Sequence, residues 1–219
     1  MRSDRIKTVA SLVTMAGAAA VLYFSLGEAP AQVDSRPQEG LGQVLGEEAA
    51  KLLGPGGRIV LITRDTTDFK NPAAESQVSG FQRALRDAKL TISSTNLIKQ
   101  DPLRVVRVPP ADFIQIIRKH AEGDVIVSLL GPPILTEEQR AGLGESRPRI
   151  LAVCAGATPA QVDLKQLFDQ HLLHAAVISR NQAGSAAAGN LREAFNQSFE
   201  LITPANLSEL PRLTGTATK

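Results

Sequence analysis

The chain has no tryptophan, one tyrosine and one cysteine. So few aromatic faces count against platforms that stack nucleobases or sugar rings. The lone thiol, Cys154, cannot close an internal disulfide, and a cysteine-rich metal cluster is excluded. A thiol-poor chain is compatible with an oxidising compartment. Excess charge of one sign is also lacking. The formal net charge is +2, but Arg2, Arg5 and Lys7, against Asp4 alone, account for all of it; the remainder is balanced. A neutral body lacks the clustered cations that a phosphate backbone demands, so no nucleic-acid partner is expected.

Several signatures are absent. No Walker A motif and no G-x-S-x-G elbow occurs. A dinucleotide site needs a glycine-rich turn after its first strand, whereas Gly54, Gly56 and Gly57 precede the first strand here and read as a helix stop. A receiver domain needs an acidic group where this chain has Leu130-Gly131, and a lysine that is missing after Ser179. His171 and His174 lie three apart with no third ligand type beside them, and the second opens a strand. No metal and no cofactor are expected.

What the chain does have is an uncharged apolar stretch, residues 8–27, preceded by basic residues and followed by Glu28 and Asp34. About 20 apolar residues suffice to cross a bilayer. The basic flank places the N-terminus in the cytoplasm and the rest outside it, in a periplasm if the cell is Gram-negative. A buried core helix of this length would show a polar face, and there is none. Two readings remain: an uncleaved signal anchor, or a signal peptide cut after Ala29-Pro30-Ala31. The apolar run exceeds the usual signal-peptide length and favours the anchor. No cysteine lies nearby for lipid attachment.

The expected organisation is therefore an anchor or signal over 1–27, a linker over 28–40, one α/β domain over 41–202 and a loose tail over 203–219. In the domain, a short helix with Leu41, Val44, Leu45, Leu52 and Leu53 is followed by strands alternating with helices. The strands are 58–63, a continuous apolar run as of a strand covered on both faces, then 90–98, 124–130, 149–154 and 174–179. Asn71-Pro72 reads as an N-cap and first turn. Asp112 opens a helix bearing Phe113, Ile116 and Ile117. Thr136-Glu137-Glu138-Gln139 and Thr158-Pro159-Ala160-Gln161 read as capping boxes. A small-residue helix near 184–196 and an apolar stretch, Phe199–Ile202, complete the domain. Such alternation gives right-handed βαβ units, hence a three-layer, doubly wound, mostly parallel sheet with Rossmann-like layers and the flavodoxin-like order 2-1-3-4-5.

Ligands of such sheets bind beyond the carboxyl ends of the strands. The candidate surface is Arg64-Asp65-Thr66-Thr67-Asp68, Gly131-Pro132-Pro133, Cys154-Ala155-Gly156 and Arg180-Asn181. Arg64 with Asp65 and Asp68 offers planar donors and carboxylates for a polar ligand, or else a solvated loop of local ion pairs. Gly131-Pro132-Pro133 is a stiff turn, either a cleft wall or a connector. Cys154 reads as a small buried hydrophobe or a reactive thiol, and His120 as a helix-edge residue.

The run GGRIVLITRDTTDFKNPAAESQVSGFQRALRDAKL resembles the opening of the sugar-binding and LacI-like type I periplasmic binding proteins, with Gly80-Phe81-Gln82-Arg83-Ala84-Leu85 matching a helix face of that family. The resemblance continues through 121–127 and 148–153 and spans residues 56–180. It implies one lobe of a fold that closes two lobes over a ligand, so a second protomer or another protein must complete the cleft. It also implies ligand contacts at Asp65, Thr66, Thr67, Gly131 and Pro132. The family's stacking aromatics have no equivalent. The expected function is a membrane-tethered extracytoplasmic binding module, an accessory or sensor of transport. It would take an envelope protein, a second copy or a small polar ligand. The alternative is a hydrolase or transferase using Asp65 or Asp68.

Overall fold

The computed structural model describes residues 34–99, 107–156, 162–180 and 188–209. Among them no helix is long and apolar enough to cross a membrane; the span expected at 8–27 lies outside them.

Six strands form one sheet in the order β2-β1-β3-β4-β5-β6. They are β1 (Ile59–Arg64), β2 (Ile92–Ile98), β3 (Val125–Ser128), β4 (Arg149–Cys154), β5 (Ala175–Ser179) and β6 (Phe199–Ile202). The first five are parallel, in the expected 2-1-3-4-5 order, and β6 adds antiparallel to β5. The helices are α1 (Arg36–Leu52), α2 (Pro72–Asp87), α3 (Pro110–Arg118), α4 (Glu137–Ala141), α5 (Leu164–Asp169) and α6 (Leu191–Ser198). Side chains alternate across a strand, so β1 feeds two cores. Ile59 and Leu61 join Leu41, Leu45, Phe81 and Phe195 of α1, α2 and α6. Val60 and Ile62 join Phe113, Ile117, Leu167 and Phe168 of α3 and α5. These are the three layers.

The ends of several elements differ from expectation. Residues 36–40, read as linker, are the first turns of α1, with Pro at the helix start, where its missing N–H costs nothing. The pull is tertiary. Gly40, Gly42 and Gly46 let α1 lie directly on its neighbours: a Cβ at Gly42 would stand 1.9 Å from the Gln77 carbonyl, and one at Gly80 2.0 Å from that of Glu39. The strand expected over 124–130 ends at Ser128, although Leu129 N–H still donates to the Ile62 carbonyl at 2.9 Å. The cap expected at Thr158–Gln161 falls outside the described residues. The helix that they include, α5, begins at Leu164 and is capped by Asp163, whose side chain accepts from Gln166 N–H at 3.0 Å. The described part of the last helix begins at Leu191 on the cap Asn190. The capping box at Thr136 and Gln139 and the Asn71 cap both form as read. Residues 203–209, expected as the start of a loose tail, are held by Asn206, which accepts from Thr203 N–H at 2.7 Å and donates to the Leu201 carbonyl.

The amino ends of the strands are closed by polar ties. Asp124, just before β3, is 4% exposed and accepts from Arg58 N–H at 2.8 Å, from the Arg58 guanidinium at 2.9 Å and from Ala121 N–H at 3.2 Å. His120 Nδ1 lies 3.0 Å from the same oxygen, Oδ2, that the Arg58 guanidinium and Ala121 N–H reach. Burial raises the Asp124 carboxyl, but these hydrogen bonds outweigh it and hold the group well below the carboxylate range. His174 bridges β4 and β5: its N–H donates to the Ile150 carbonyl at 2.8 Å while Nδ1 accepts from Ile150 N–H at 3.1 Å. Burial first, then the charges of His171, Arg149 and Arg147, push it down to about 4. An Arg149 guanidinium N–H donates to the Leu52 carbonyl, tying β4 to the end of α1.

Candidate functional site

β1 delivers Arg64 to the carboxyl edge of the sheet, and the loop after it returns to α2 through the Asn71 cap. Within that loop Asp65 turns on itself. Its Oδ1 accepts from the Thr67 hydroxyl at 2.6 Å and from Thr67 N–H at 3.0 Å, while its own N–H donates to the Ile98 carbonyl at 3.0 Å. The Thr67 hydroxyl, then the Thr67 N–H, hold the Asp65 carboxyl below its ordinary value. A carboxylate kept ionised and already bonded is a poor general acid or base.

Arg64 and Thr66 face the other way, into a groove of about 310 Å³ between α2 and the β1–β2 edge of the sheet. Leu61 and Thr63 form its floor, Ala74, Glu75 and Val78 one wall, and Thr95 and Leu97 the other. Among the described residues, the side chains of Arg64 and Glu75 have neither a hydrogen-bond nor an ion-pair partner. Half-buried Arg64 thus presents an unused guanidinium fork to the groove. Among the described residues no aromatic side chain lines it.

The remaining candidates do not meet here. Gly131, Pro132 and Pro133 are buried, and Gly131 holds φ at +107°, which a side chain resists. They close the end of β3 and do not line this groove. Cys154 is fully buried at the end of β4, and burial pushes its thiol up to about 12, the behaviour of an inert core residue. Gly156 N–H donates to the Ser179 hydroxyl at 3.2 Å. Arg180 donates to the Phe199 carbonyl at 3.1 Å and faces Glu200 at 3.8 Å, so it is committed to β6; Asn181 lies outside the described residues. Asp68 is exposed. His120 sits at the opposite end of the sheet, beyond α3, with Asp124. Among the described residues no group of three His, Cys, Asp or Glu side chains could hold a metal ion.

Thr63, Glu75, Ser79, Gln82, Thr95 and Leu97 were not singled out as site residues from the sequence. One signal was available. Glu75, Ser79 and Gln82 recur at the i, i+4, i+7 spacing of one helix face, beside the apolar face that Val78 and Phe81 announce.

No family model and no curated protein matches the sequence. Solved structures do match in fold. An arabinose-binding protein from Geobacillus stearothermophilus is 12% identical, over 80% of this chain and 63% of its own, with a TM-score of 0.50. A sugar-binding protein of a sugar ABC transporter from Bacillus halodurans is 12% identical over 78% and 64%, with a TM-score of 0.47. A carbohydrate transporter solute-binding protein from Agrobacterium radiobacter, in complex with D-arabinose, is 11% identical over 77% and 61%, with a TM-score of 0.46. The chain spans less than two thirds of the length of these neighbours. With its six-stranded sheet and this likeness, the chain has the type I periplasmic-binding-protein-like fold, as a single lobe.

Proposed function

We propose that the protein is an extracytoplasmic binding module, tethered through residues 8–27, that holds a polar ligand or a segment of an envelope protein against the edge of its sheet. The observation that carries this reading is the unpartnered Arg64 guanidinium in a groove with Thr63, Thr66 and Thr95. A half-buried arginine without an ion-pair partner keeps its planar set of donors available to an incoming anionic or carbonyl group. A neighbour of the same fold is named for arabinose, but a groove without aromatic lining argues against a sugar ring as the occupant here. A single lobe leaves the groove open on one side, which favours a partner protein or a second copy to complete it. Asp65 and Thr67 shape the loop beside it.

The test is thermal unfolding of the full chain in mild detergent, with and without sugars, amino acids, small carboxylates and short peptides. A ligand at a hundred times its dissociation constant adds about 2.7 kcal/mol, a shift of several degrees. Arg64→Gln should abolish the shift. A shift that survives Arg64→Gln unchanged would place the site elsewhere.

A further inference from the structure

The groove beside Arg64 continues along β2. A second cavity of about 200 Å³ is lined by Leu85, Leu90 and Ile92, and Gln82 borders both. Together they form a furrow between α2 and β2 running from the amino to the carboxyl end of the strand. Apolar side chains run along it (Leu85, Leu90, Ile92, Val78, Leu97), with Arg86 at its amino end and Arg64 and Glu75 towards its carboxyl end.

Among the described residues, the strand beside this furrow has an open edge. β2 is the outermost strand and pairs with β1 alone among the described residues. Asp65 N–H donates to the Ile98 carbonyl, so Ile98 turns its backbone groups towards β1. Alternation along the strand then directs the N–H and C=O of Leu97 and Thr95 outward. Edges of this kind are usually guarded by charge or proline, and residues 92–98, ISSTNLI, contain neither. Leu97, 56% exposed, and Phe69, 71% exposed, are the large hydrophobic side chains left in solvent among the described residues, and both belong to this corner of the molecule.

Taking the binding-module reading as its basis, we infer that the occupant is an extended peptide with a free carboxyl terminus. The peptide adds to the β2 edge, parallel to the strand, and its terminal carboxylate reaches Arg64. Three separate features ask for this chemistry. Unpaired edge groups accept a backbone and not a compact solute. An apolar furrow beside the edge takes every second side chain of an added strand. The Arg64 guanidinium, half-buried where Arg86 at the other end is exposed, matches a terminal carboxylate in both charge and fork geometry. A small polar solute would use the Arg64 end and leave the Leu90–Ile92 stretch and the edge unoccupied.

Labelled, acetylated heptapeptides that alternate leucine with serine or threonine should bind the full chain saturably, as read by fluorescence anisotropy. Converting the terminal carboxylate to an amide should weaken binding about tenfold, the worth of one charged hydrogen bond, and Arg64→Gln should erase that difference. N-methylation of alternate peptide nitrogens should abolish binding to the unaltered protein. Thr95→Pro should do the same from the other side, since proline is tolerated where an edge N–H faces outward. Equal binding of acid and amide, or binding indifferent to N-methylation in both registers, overturns the inference. Should the peptides fail while a small solute gives a thermal shift that Arg64→Gln removes, the peptide falls and the binding module stands. Silence from peptides and solutes alike sinks both.

Discussion

The two ends of the sheet are built on opposite terms. At the amino end the charged groups beside the strands are engaged. Asp124 gathers Arg58, Ala121 and His120, His174 bridges two strands, and Arg149 reaches back to the end of α1. At the carboxyl end of β1 and β2, the Arg64 side chain has no partner among the described residues, Leu97 is in solvent and the strand edge is open. Polar groups committed to one another rigidify a structure, while polar groups left uncommitted cost stability and are retained where something else engages them. Stability should therefore concentrate at one end and binding at the other, and substitutions at matched positions can pull the two apart.

The largest effect is expected at Asp124. Asp124→Ala strands several donors around a buried site and should cost about 3 kcal/mol, read as a lower denaturant midpoint with an unchanged slope. A loss below about 1 kcal/mol would mean that the amino end is not the fold's clamp. Glycines offer a second contrast. A Cβ on Gly57 would stand 2.0 Å from the Gly123 carbonyl, backbone against backbone, whereas Gly156 at the other end has φ +65° and open space around it. Gly57→Ala should cost about 2–3 kcal/mol by collision and Gly156→Ala only about 1 kcal/mol, from the left-handed backbone alone. Reversal of that order in thermal unfolding would contradict the close approach of the two loops.

pH probes the same end. His174 is kept neutral by burial and by accepting the Ile150 N–H, so its folded value, about 4, lies below the ordinary 6.5. The unfolded chain then binds the extra proton first. Stability is fully present above pH 6.5 and is lost as pH falls, with the loss complete near pH 4. Discounted for the partial exposure of the ring, the decline should be about 2 kcal/mol. Asp124 is also depressed when folded, so its contribution is present above about pH 4 and disappears below it. Two successive losses are expected, and His174→Asn should remove the upper one only. A flat profile between about pH 6.5 and 4 in the unaltered protein would show that His174 is not held neutral by the fold.

The layers were legible in the sequence because they rest on local patterns, and the strand order followed from the common doubly wound topology that those patterns imply. The continuous apolar run at 59–63 marks a doubly covered strand, and Asn71-Pro72 and Thr136…Gln139 mark helix starts by their own hydrogen-bonding chemistry. What was not legible depends on contacts between distant segments. Gly40 looks like linker, and Gly42 and Gly46 have no evident purpose inside the expected helix, until their neighbours are known. Those neighbours are Leu191 of α6 and Gln77, Phe81 and Ala84 of α2, and against them the missing side chains become the reason for a helix. The candidate site divides in the same way. Arg64 and Thr66 could be chosen because they follow a strand, but Gly131 and Pro132 follow one too and are buried, since β3 is central while β1 borders the edge strand. Thr95 and Leu97 were invisible as site residues because nothing in ISSTNLI says which side of the sheet α2 leaves uncovered.

The smallest effect on stability is expected at the residue that matters most for binding. The Arg64 side chain makes no hydrogen bond or ion pair with any described residue, so Arg64→Gln removes nothing that holds the fold together. Replacing a half-buried charge with a neutral amide of similar reach also relieves some desolvation. The unfolding midpoint should move by no more than about 0.5 kcal/mol in either direction, the range of surface substitutions. Thr67→Val makes a useful companion. It removes the hydroxyl that Asp65 accepts from and frees the loop without touching the groove, so it should lower stability slightly and leave affinity nearly unchanged. If Arg64→Gln instead destabilises the chain by more than Thr67→Val, the guanidinium is serving the fold after all. The contrast between a committed amino end and an uncommitted carboxyl end would then fail at the residue on which it depends.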